Sequence, residues 1–309
     1  MKQWVSYKNG NYTVSLNLYT GTKIRQNNLD FFEPDTVESM DIKLTNKCDR
    51  QCKQCHESST PFGKHGNILD VPFLEKLHPY CELALGGGNP LTHPDLDRFL
   101  ELCQQRKHIP NMTVNQFHFE KDFDRIVNYI QKRLIFGIGI SLVRLTPEFL
   151  EKVKKIPTAV IHVINGLVTE DQLRQLKDNG LKILVLGYKE FRKGKKLYEK
   201  HQDVIEAGKQ KMKVLLPKII EEGWFNVVSF DNLALKQLDV RSLMSSEEWN
   251  RFYMGDDGLD GLNNTTKSAT FFVDLVKREF AINSCSDIRY PLMDTAEDML
   301  NFLVNKKIN

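Results

Sequence analysis

The sequence predicts an α/β protein built on a parallel sheet, with an N-terminal β-meander and a C-terminal α+β extension. Between Met40 and about Lys189, short apolar runs alternate with helical segments, which is the pattern of consecutive βα units. Before this region, Asn9-Gly10 is typical of a two-residue hairpin turn, because both turn positions need positive φ. After it come a basic amphipathic stretch, a hairpin pattern and a terminal helix.

Residues 1–38 are predicted to form the meander and a linker. Tyr12, Val14 and Leu16 alternate with polar residues after the first turn, and Thr20-Gly21 offers a second turn. The segment 26–38, with Pro34, is the expected linker.

Residues 39–190 are predicted to form the core. Helix starts are marked by Thr146-Pro147 and by Thr169, and Asn179-Gly180 is typical of a helix C-terminus. The expected strands lie near 40–45, 81–86, 111–115, 135–142, 159–164 and 181–187, and the expected helices near 70–78, 94–107, 119–132, 146–155 and 169–179. Six βα units are too few for a closed eight-stranded barrel.

Residues 191–309 are predicted to form the extension. It should contain one or two long basic helices over 190–223, a strand and its return over 225–238, a hairpin from 271–275 and 279–283, and a helix near 295–305.

The composition limits the possible functions. The net charge of +3 is too small to indicate a nucleic-acid-binding protein, and no apolar run approaches the ~18 residues of a membrane span. The first residues lack the apolar stretch of a signal peptide. Six cysteines in 309 residues do not make a disulfide scaffold, so a reducing, cytoplasmic location is expected.

The loop Thr45–Ser59 carries the strongest functional motif. It holds Cys48, Cys52 and Cys55 in C-x3-C-x2-C spacing, directly after the first core strand. A structural zinc site or a four-iron cluster needs four ligands. Three cysteines on one loop therefore indicate a metal centre with one position left for another ligand, or a zinc site completed by His56, His65 or Cys81.

This loop, followed by the glycine-rich strand end Gly86-Gly87-Gly88-Asn89-Pro90, resembles the radical S-adenosylmethionine (radical SAM) enzymes. The resemblance covers about residues 40–190 and implies a partial (β/α)6 TIM-type barrel. It implies that Cys48, Cys52 and Cys55 hold a [4Fe-4S] cluster whose open iron binds SAM. Reductive cleavage of SAM then yields a 5′-deoxyadenosyl radical that abstracts hydrogen from the substrate.

The resemblance also implies the SAM-binding positions. The expected contacts are Gly86, Gly87, Gly88 and Asn89 for the amino group and Asn115, Ser141 and Asn165 at three further strand ends. Two departures from the family pattern are visible: Gly88 replaces an acidic residue, and Gln54 replaces the aromatic residue before the third cysteine. Adenine stacking should then come from elsewhere, such as His56 or the segment Leu186-Gly187-Tyr188.

Other polar residues and cysteines receive separate predictions. At least one of His56, Glu57 and His65 should face the cavity, because loops at the open end of a barrel recognise substrates. Cys81 and Cys103 should be core thiols, and Cys285 alone cannot hold a second cluster. Lys47, Arg50 and Lys53 should favour thiolates on the loop. The segment 256–267 resembles a calcium loop but lacks its ligand set.

The sequence thus predicts a one-cluster radical SAM enzyme acting on a peptide or a small metabolite or nucleotide. Its expected partners are the substrate and an electron donor such as flavodoxin or ferredoxin, with neither a membrane nor a nucleic acid. The alternative is a non-catalytic zinc or iron-sulfur module that could bind nucleic acid.

Overall fold

A ten-stranded, mostly parallel sheet organises the protein. The computed structural model describes residues 3–29, 32–252 and 269–308. Seven parallel strands form most of the sheet: β4 (Ser39–Thr45), β5 (Glu82–Gly87), β6 (Ile109–Asn115), β7 (Gly137–Ser141), β8 (Ala159–Ile164), β9 (Lys182–Leu186) and β10 (Val227–Phe230). The first six correspond to the six predicted strands, so the α/β class and the parallel sheet are confirmed.

The C-terminal segment completes the sheet on the other side of β4. Strand β11 (Thr270–Asp274) runs parallel to β4 and pairs antiparallel with β12 (Glu279–Ala281), which pairs with β13 (Tyr290–Pro291). The predicted hairpin therefore exists, and it joins the main sheet. The hydrogen-bonded order runs from β10 at one edge to β13 at the other.

The segment 225–238 differs from its prediction. The sequence indicates a strand and its return, but the structure has one strand, β10, followed by the helix Asn232–Leu238. Asp231 caps this helix by accepting a hydrogen bond from the backbone N–H of Ala234 at 2.8 Å. The cap turns the chain into a helix directly after a seventh parallel strand.

Helices cover the outer side of the strands. Those of the βα region are α1 (Pro72–Lys76), α2 (Leu96–Gln105), α3 (Gln116–Lys121), α4 (Phe123–Gln131), α5 (Pro147–Lys154) and α6 (Glu170–Leu176). Later in the chain lie α7 (Lys193–Glu221), α8 (Asn232–Leu238), α9 (Ser246–Phe252) and α10 (Ala296–Ile308). Thr146 and Thr169 cap α5 and α6 as predicted. The predicted basic helix is α7, which is kinked at His201.

The N-terminal meander is a separate three-stranded antiparallel sheet: β1 (Trp4–Asn9), β2 (Tyr12–Asn17) and β3 (Lys23–Gln26). A buried carboxylate anchors it to the main sheet. Glu38, just before β4, accepts a hydrogen bond from the Tyr12 hydroxyl at 2.5 Å and pairs with Arg25 at 2.7 Å. Lys23 bridges Glu38 and Glu82 at 3.2 and 2.5 Å.

None of the helices in the described ranges is long and apolar enough to cross a membrane. The calcium-like segment 256–267 lies outside the described residues.

Candidate active site

One face of the sheet lines a cavity of about 950 Å³. Alternate residues of β4 to β10 point into it, since side chains of a strand alternate between the two faces. These include Asp41 and Lys43, Glu82, Ala84 and Gly86, Asn111, Thr113 and Asn115, Gly137, Gly139 and Ser141, Val160, His162 and Ile164, Lys182, Leu184 and Leu186, and Val227 and Ser229. The meander contributes 16–18 and 20–22 to the wall beside the amino-terminal strand ends.

The cysteine loop borders this cavity where β4 ends. Backbone hydrogen bonds fix the base of the loop: Cys48 N–H donates to Thr60 O at 2.8 Å, and Thr60 N–H donates to Asn46 O at 3.1 Å. Cys48, Cys52 and Cys55 all line the cavity, and all three are half-buried free thiols. The structure therefore places three thiol sulfurs, of the kind that ligate metals, along one rim of the cavity.

Burial raises the pKa of two of these thiols, Cys48 and Cys52, and Cys55 raises both values further. Arg50 lowers both, which is the predicted effect of a basic residue on the loop. For these two thiols, the effect of Arg50 does not outweigh burial. A cation bound by the sulfurs would supply the missing stabilisation of the thiolates.

The glycine triplet packs β5 against the start of the cysteine loop. Gly88 N–H donates to Thr45 O, and Asn89 N–H donates to Lys47 O, both at 2.7 Å. Gly87 has φ +108°, a conformation that favours glycine. Gly86 faces open space, and all three glycines line the cavity.

The polar strand-end residues separate into two groups. Asn115 and Ser141 line the cavity, and Asn115 Nδ2 lies 3.7 Å from the Cys52 sulfur. The side chains of Asn89 and Asn165 are buried and engaged elsewhere. Asn89 Oδ1 accepts from Leu91 N–H at 3.2 Å, and Asn165 Nδ2 donates to Gln237 Oε1 at 3.1 Å. Neither of these two side chains is part of the described cavity wall.

His56 and Glu57 line the cavity, as predicted for at least one of the three loop residues. His65 has a structural place instead: its Nδ1 lies 2.9 Å from Thr45 Oγ1, and its ring packs edge-on against His93. Cys81 and Cys103 are buried, which confirms them as core thiols.

A buried ion network beside the cysteine loop was not predicted from the sequence. The Lys43 ammonium lies 2.6 Å from Glu57 Oε2 and 3.1 Å from Asp274 Oδ2, and all three side chains are less than a tenth exposed. Burial alone would raise the pKa of Glu57, but the hydrogen bond from His56 and the charge of Lys43 lower it, so Glu57 is ionised at neutral pH. The network ties β4, the cysteine loop and β11 together.

A smaller cavity of about 370 Å³ adjoins the loop. Its polar and charged lining residues are Arg50, Gln51, Cys52, Lys53, Gln54, Asn115 and Gln172, and its apolar ones are Phe117, Leu142, Val143, Val163, Ile164, Leu167 and Val168. The Arg50 guanidinium lies 3.9 Å from the centre of the Phe117 ring and stacks on it. This slot therefore combines aliphatic walls with an arginine–aromatic stack beside the cysteine loop.

A second group of possible ligands lies at the loop. Ligand atoms of Cys48, Asp49 and His118 are all within 4.8 Å of one another, and His118 Nε2 lies 2.6 Å from Asp49 Oδ1. His118 is on α3, and the sequence contained no spacing signal that would connect it with the loop.

Sequence comparison identifies no relative: no known family profile matches the chain, and no curated protein does. Structural comparison does. SuiB from Streptococcus suis bound to the precursor peptide SuiA matches with a TM-score of 0.64 at 11% identity, covering 99% of this chain and 89% of SuiB.

Two further SuiB structures agree with this match. The structure bound to S-adenosylmethionine gives a TM-score of 0.62 at 11% identity, with 99% and 88% covered. Another SuiB structure gives 0.53 at 12% identity, with 91% and 82% covered. Over nearly its whole length, this chain has the fold of SuiB, a radical SAM enzyme.

Proposed function

We propose that this protein is a radical SAM enzyme in which Cys48, Cys52 and Cys55 hold a [4Fe-4S] cluster. The observation that carries the proposal is the position of three free thiols on one loop, at the rim of the large cavity where the parallel strands end. Catalytic residues gather at this end in α/β barrels. The SuiB fold, seen in SuiB with S-adenosylmethionine bound, supports the proposal. We further propose that the parallel strands act as the partial (β/α)6 barrel that the resemblance implies.

The donor set fits such a cluster. Cys48, Cys52 and Cys55 would supply three of the four thiolates that such a cluster normally takes, which would leave one iron for another ligand. When bound, the cluster and SAM supply reductive SAM cleavage and hydrogen abstraction. The protein's own contribution is to hold the sulfurs in place, through the backbone bonds of Cys48 and Thr60 and the buried Lys43–Glu57 pair.

The proposed SAM site combines both cavities. The open face of Gly86 and the backbone of Gly87 and Gly88 along the cavity wall would receive the amino group, and Asn115 and Ser141 would hydrogen-bond the polar atoms. The smaller slot suits the adenine ring, because its aliphatic walls and the planar Arg50 group stacked on Phe117 would stabilise a flat base. This slot would take over the role of the aromatic residue that the family carries at the position of Gln54. Asn89 and Asn165 would contribute indirectly, through the hydrogen bonds that their side chains make after the ends of β5 and β8.

The substrate would lie in the large cavity and be a peptide or a small molecule. A peptide is favoured by the fold of SuiB, which binds the precursor peptide SuiA. Lys47, Arg50 and Lys53 place positive charge on the cysteine loop, which suits an acidic electron donor such as flavodoxin or ferredoxin. A reducing, cytoplasmic setting would preserve the free thiols.

Anaerobic reconstitution with iron and sulfide tests the proposal. We expect a brown protein with about four irons per chain that releases 5′-deoxyadenosine from SAM under a reductant. Cys48→Ala should abolish the release and lower the iron content. Cys103→Ala, which removes a buried helix thiol, is the matched control and should retain both.

The zinc alternative has a distinct outcome. Cys48, Asp49 and His118 could contribute to such a site. A colourless protein that takes up one zinc and leaves SAM intact would refute the enzyme proposal, as would unchanged deoxyadenosine release by Cys48→Ala.

A further inference from the structure

Most charged side chains on the wall of the large cavity already have partners. Lys43 pairs with Glu57 at 2.6 Å, and Glu82 pairs with Lys23 at 2.5 Å. Asp231 accepts two backbone N–H groups at 2.8 Å, at the start of α8. These groups hold the protein together, so their charges are not available to a ligand.

Asp41 and Lys189 differ from them. Asp41 is an inward residue of β4, Lys189 follows the end of β9, and both line the same cavity. Burial raises the pKa of Asp41, and the positive charge of Lys189 acts in the opposite direction. Within the described part of the chain, neither side chain makes a hydrogen bond or ion pair. The wall of this cavity thus carries one carboxylate and one ammonium that have no partner among the described residues.

We propose that Asp41 and Lys189 form a recognition site for a zwitterion, so that the substrate presents an ammonium group to Asp41 and a carboxylate to Lys189. The class that combines these groups is an α-amino acid or a close analogue. This inference rests on the proposed function for its catalytic meaning, and it selects a small molecule of one class over the peptide that the fold of SuiB favours.

The wall around Asp41 has room for such a molecule. In the register of the sheet, Asp41 lies opposite Ala84, and Ala84 lies opposite Asn111, which faces Gly137. Alanine and glycine at these inward positions leave volume in front of the carboxylate, and Asn111 adds an amide for hydrogen bonding.

The opposite wall provides a neutral polar group. A Cβ on Gly139 would lie 2.4 Å from Cε1 of His162, so only glycine there lets the ring lie across β7. Burial lowers the pKa of His162 to about 4, with a smaller contribution from Lys189. The uncharged imidazole can hydrogen-bond a ligand without competing for the carboxylate that Lys189 would bind.

The electrostatics of Asp41 favour an incoming cation. Burial raises its pKa, Lys189 lowers it, and the carboxylates of Glu57 and Asp231 raise it again. A substrate ammonium would therefore relieve repulsion among carboxylates. A phosphate or nucleotide would instead face Asp41 and Asp231 with like charge.

The ammonium of SAM is assigned to Gly86–Gly88 and its other polar atoms to Asn115 and Ser141, so neither is assigned to Asp41 or Lys189. The test therefore uses the reconstituted holoenzyme with saturating S-adenosylhomocysteine, which occupies that site. Binding of the free proteinogenic amino acids, of their N-acetyl and amide derivatives, and of the nucleoside monophosphates is measured by ligand-observed NMR and calorimetry.

At least one free amino acid should bind, and blocking either its ammonium or its carboxylate should weaken binding by about tenfold or more, the loss of one charge-assisted hydrogen bond. Asp41→Asn and Lys189→Met should each weaken binding to a similar extent. Lys182→Met is the matched control, because Lys182 lines the same cavity at the opposite end of β9, and it should leave the affinity unchanged.

Several results would overturn the inference: no amino acid binds, blocked derivatives bind equally well, nucleotides bind instead, or Lys182→Met is as harmful as Lys189→Met. Thermal melting of each variant shows that it is folded. Deoxyadenosine release from SAM by the unsubstituted protein is measured in parallel. Amino-acid binding without SAM cleavage would refute the proposed function and support this inference. SAM cleavage without amino-acid binding would support the proposed function and refute this inference.

Discussion

At the scale of single residues, Lys43 connects the cysteine loop to the rest of the protein. Its ammonium is buried between the carboxylates of Glu57 and Asp274. Lys43→Met should destabilise the protein by about 3–5 kcal/mol, because two buried carboxylates lose their counter-charge. Urea unfolding of the metal-free protein at pH 7 measures the change.

Two further variants establish the cause. Lys64→Met alters an exposed lysine of the same loop region and should change stability by less than about 0.5 kcal/mol. Adding Glu57→Gln to Lys43→Met should restore part of the loss, since one uncompensated charge disappears. Equal effects of Lys43→Met and Lys64→Met would contradict the role of the network.

The glycine triplet offers a second residue-scale prediction. A Cβ on Gly88 would lie 2.3 Å from Lys47 O, whereas a Cβ on Gly86 meets nothing within 4 Å. Gly88→Ala should therefore cost about 1–3 kcal/mol through backbone displacement, and Gly86→Ala should cost much less. Thermal unfolding of both variants tests this, and similar melting temperatures would show that the packing of β5 on the loop tolerates a methyl group.

Residue types and spacing identified the cysteine loop, because its ligands are neighbours in sequence. They did not identify Lys43, which looks like an ordinary polar residue in the alternating run of β4. Its partners come from the cysteine loop and from the C-terminal hairpin, so only the folded sheet brings them together. Asn89 and Asn165 show the opposite error, in which a polar residue at a strand end is predicted to bind a ligand. Their side chains instead make hydrogen bonds within the protein.

At the scale of elements, the meander depends on one buried carboxylate. Glu38 is 1% exposed, and although burial alone would raise its pKa, Arg25, Lys23 and Tyr12 lower it. Because the pKa of Glu38 is lower in the folded state, its stabilisation is present above the unfolded pKa of about 4.3 and is lost as pH falls through the folded pKa.

Glu38→Gln should therefore destabilise the protein by about 3 kcal/mol at pH 7, and the difference from the wild type should shrink at pH values below about 4. Urea unfolding across this range provides the measurement. Glu33→Gln, at an exposed position of the same segment, serves as the control. A difference that stays constant with pH would mean that the Glu38 charge is not involved.

Strands and helices could be predicted from the sequence where the hydrophobic pattern or a capping residue marked them clearly. Hydrophobic runs located six parallel strands, and threonine caps located α5 and α6. The segment 225–238 was misinterpreted because two short apolar runs on either side of Asp231-Asn232 are compatible with a strand pair. The cap by Asp231 decides in favour of a helix.

At the scale of the whole molecule, the sheet order could not be read from the chain. The partner of β11 is β4, far away in sequence, and no local pattern specifies such a pairing. The large cavity also depends on this arrangement, since its wall takes residues from the meander, from seven consecutive parallel strands and from β11. The cysteine motif could be recognised in the sequence alone. The charged residues Asp41 and Lys189 could be recognised as part of one cavity only in the folded structure.

The parallel pairing of β11 with β4 also has a consequence for biosynthesis. Strand β4 and the cysteines leave the ribosome early, but Lys43 cannot meet Asp274 until almost the whole chain has been made. Until then, the three cysteines follow a strand whose edge is unpaired. Under the proposed function, a cluster would enter the finished site only after translation has ended, and a chain truncated before residue 270 would lack the Asp274 partner of Lys43.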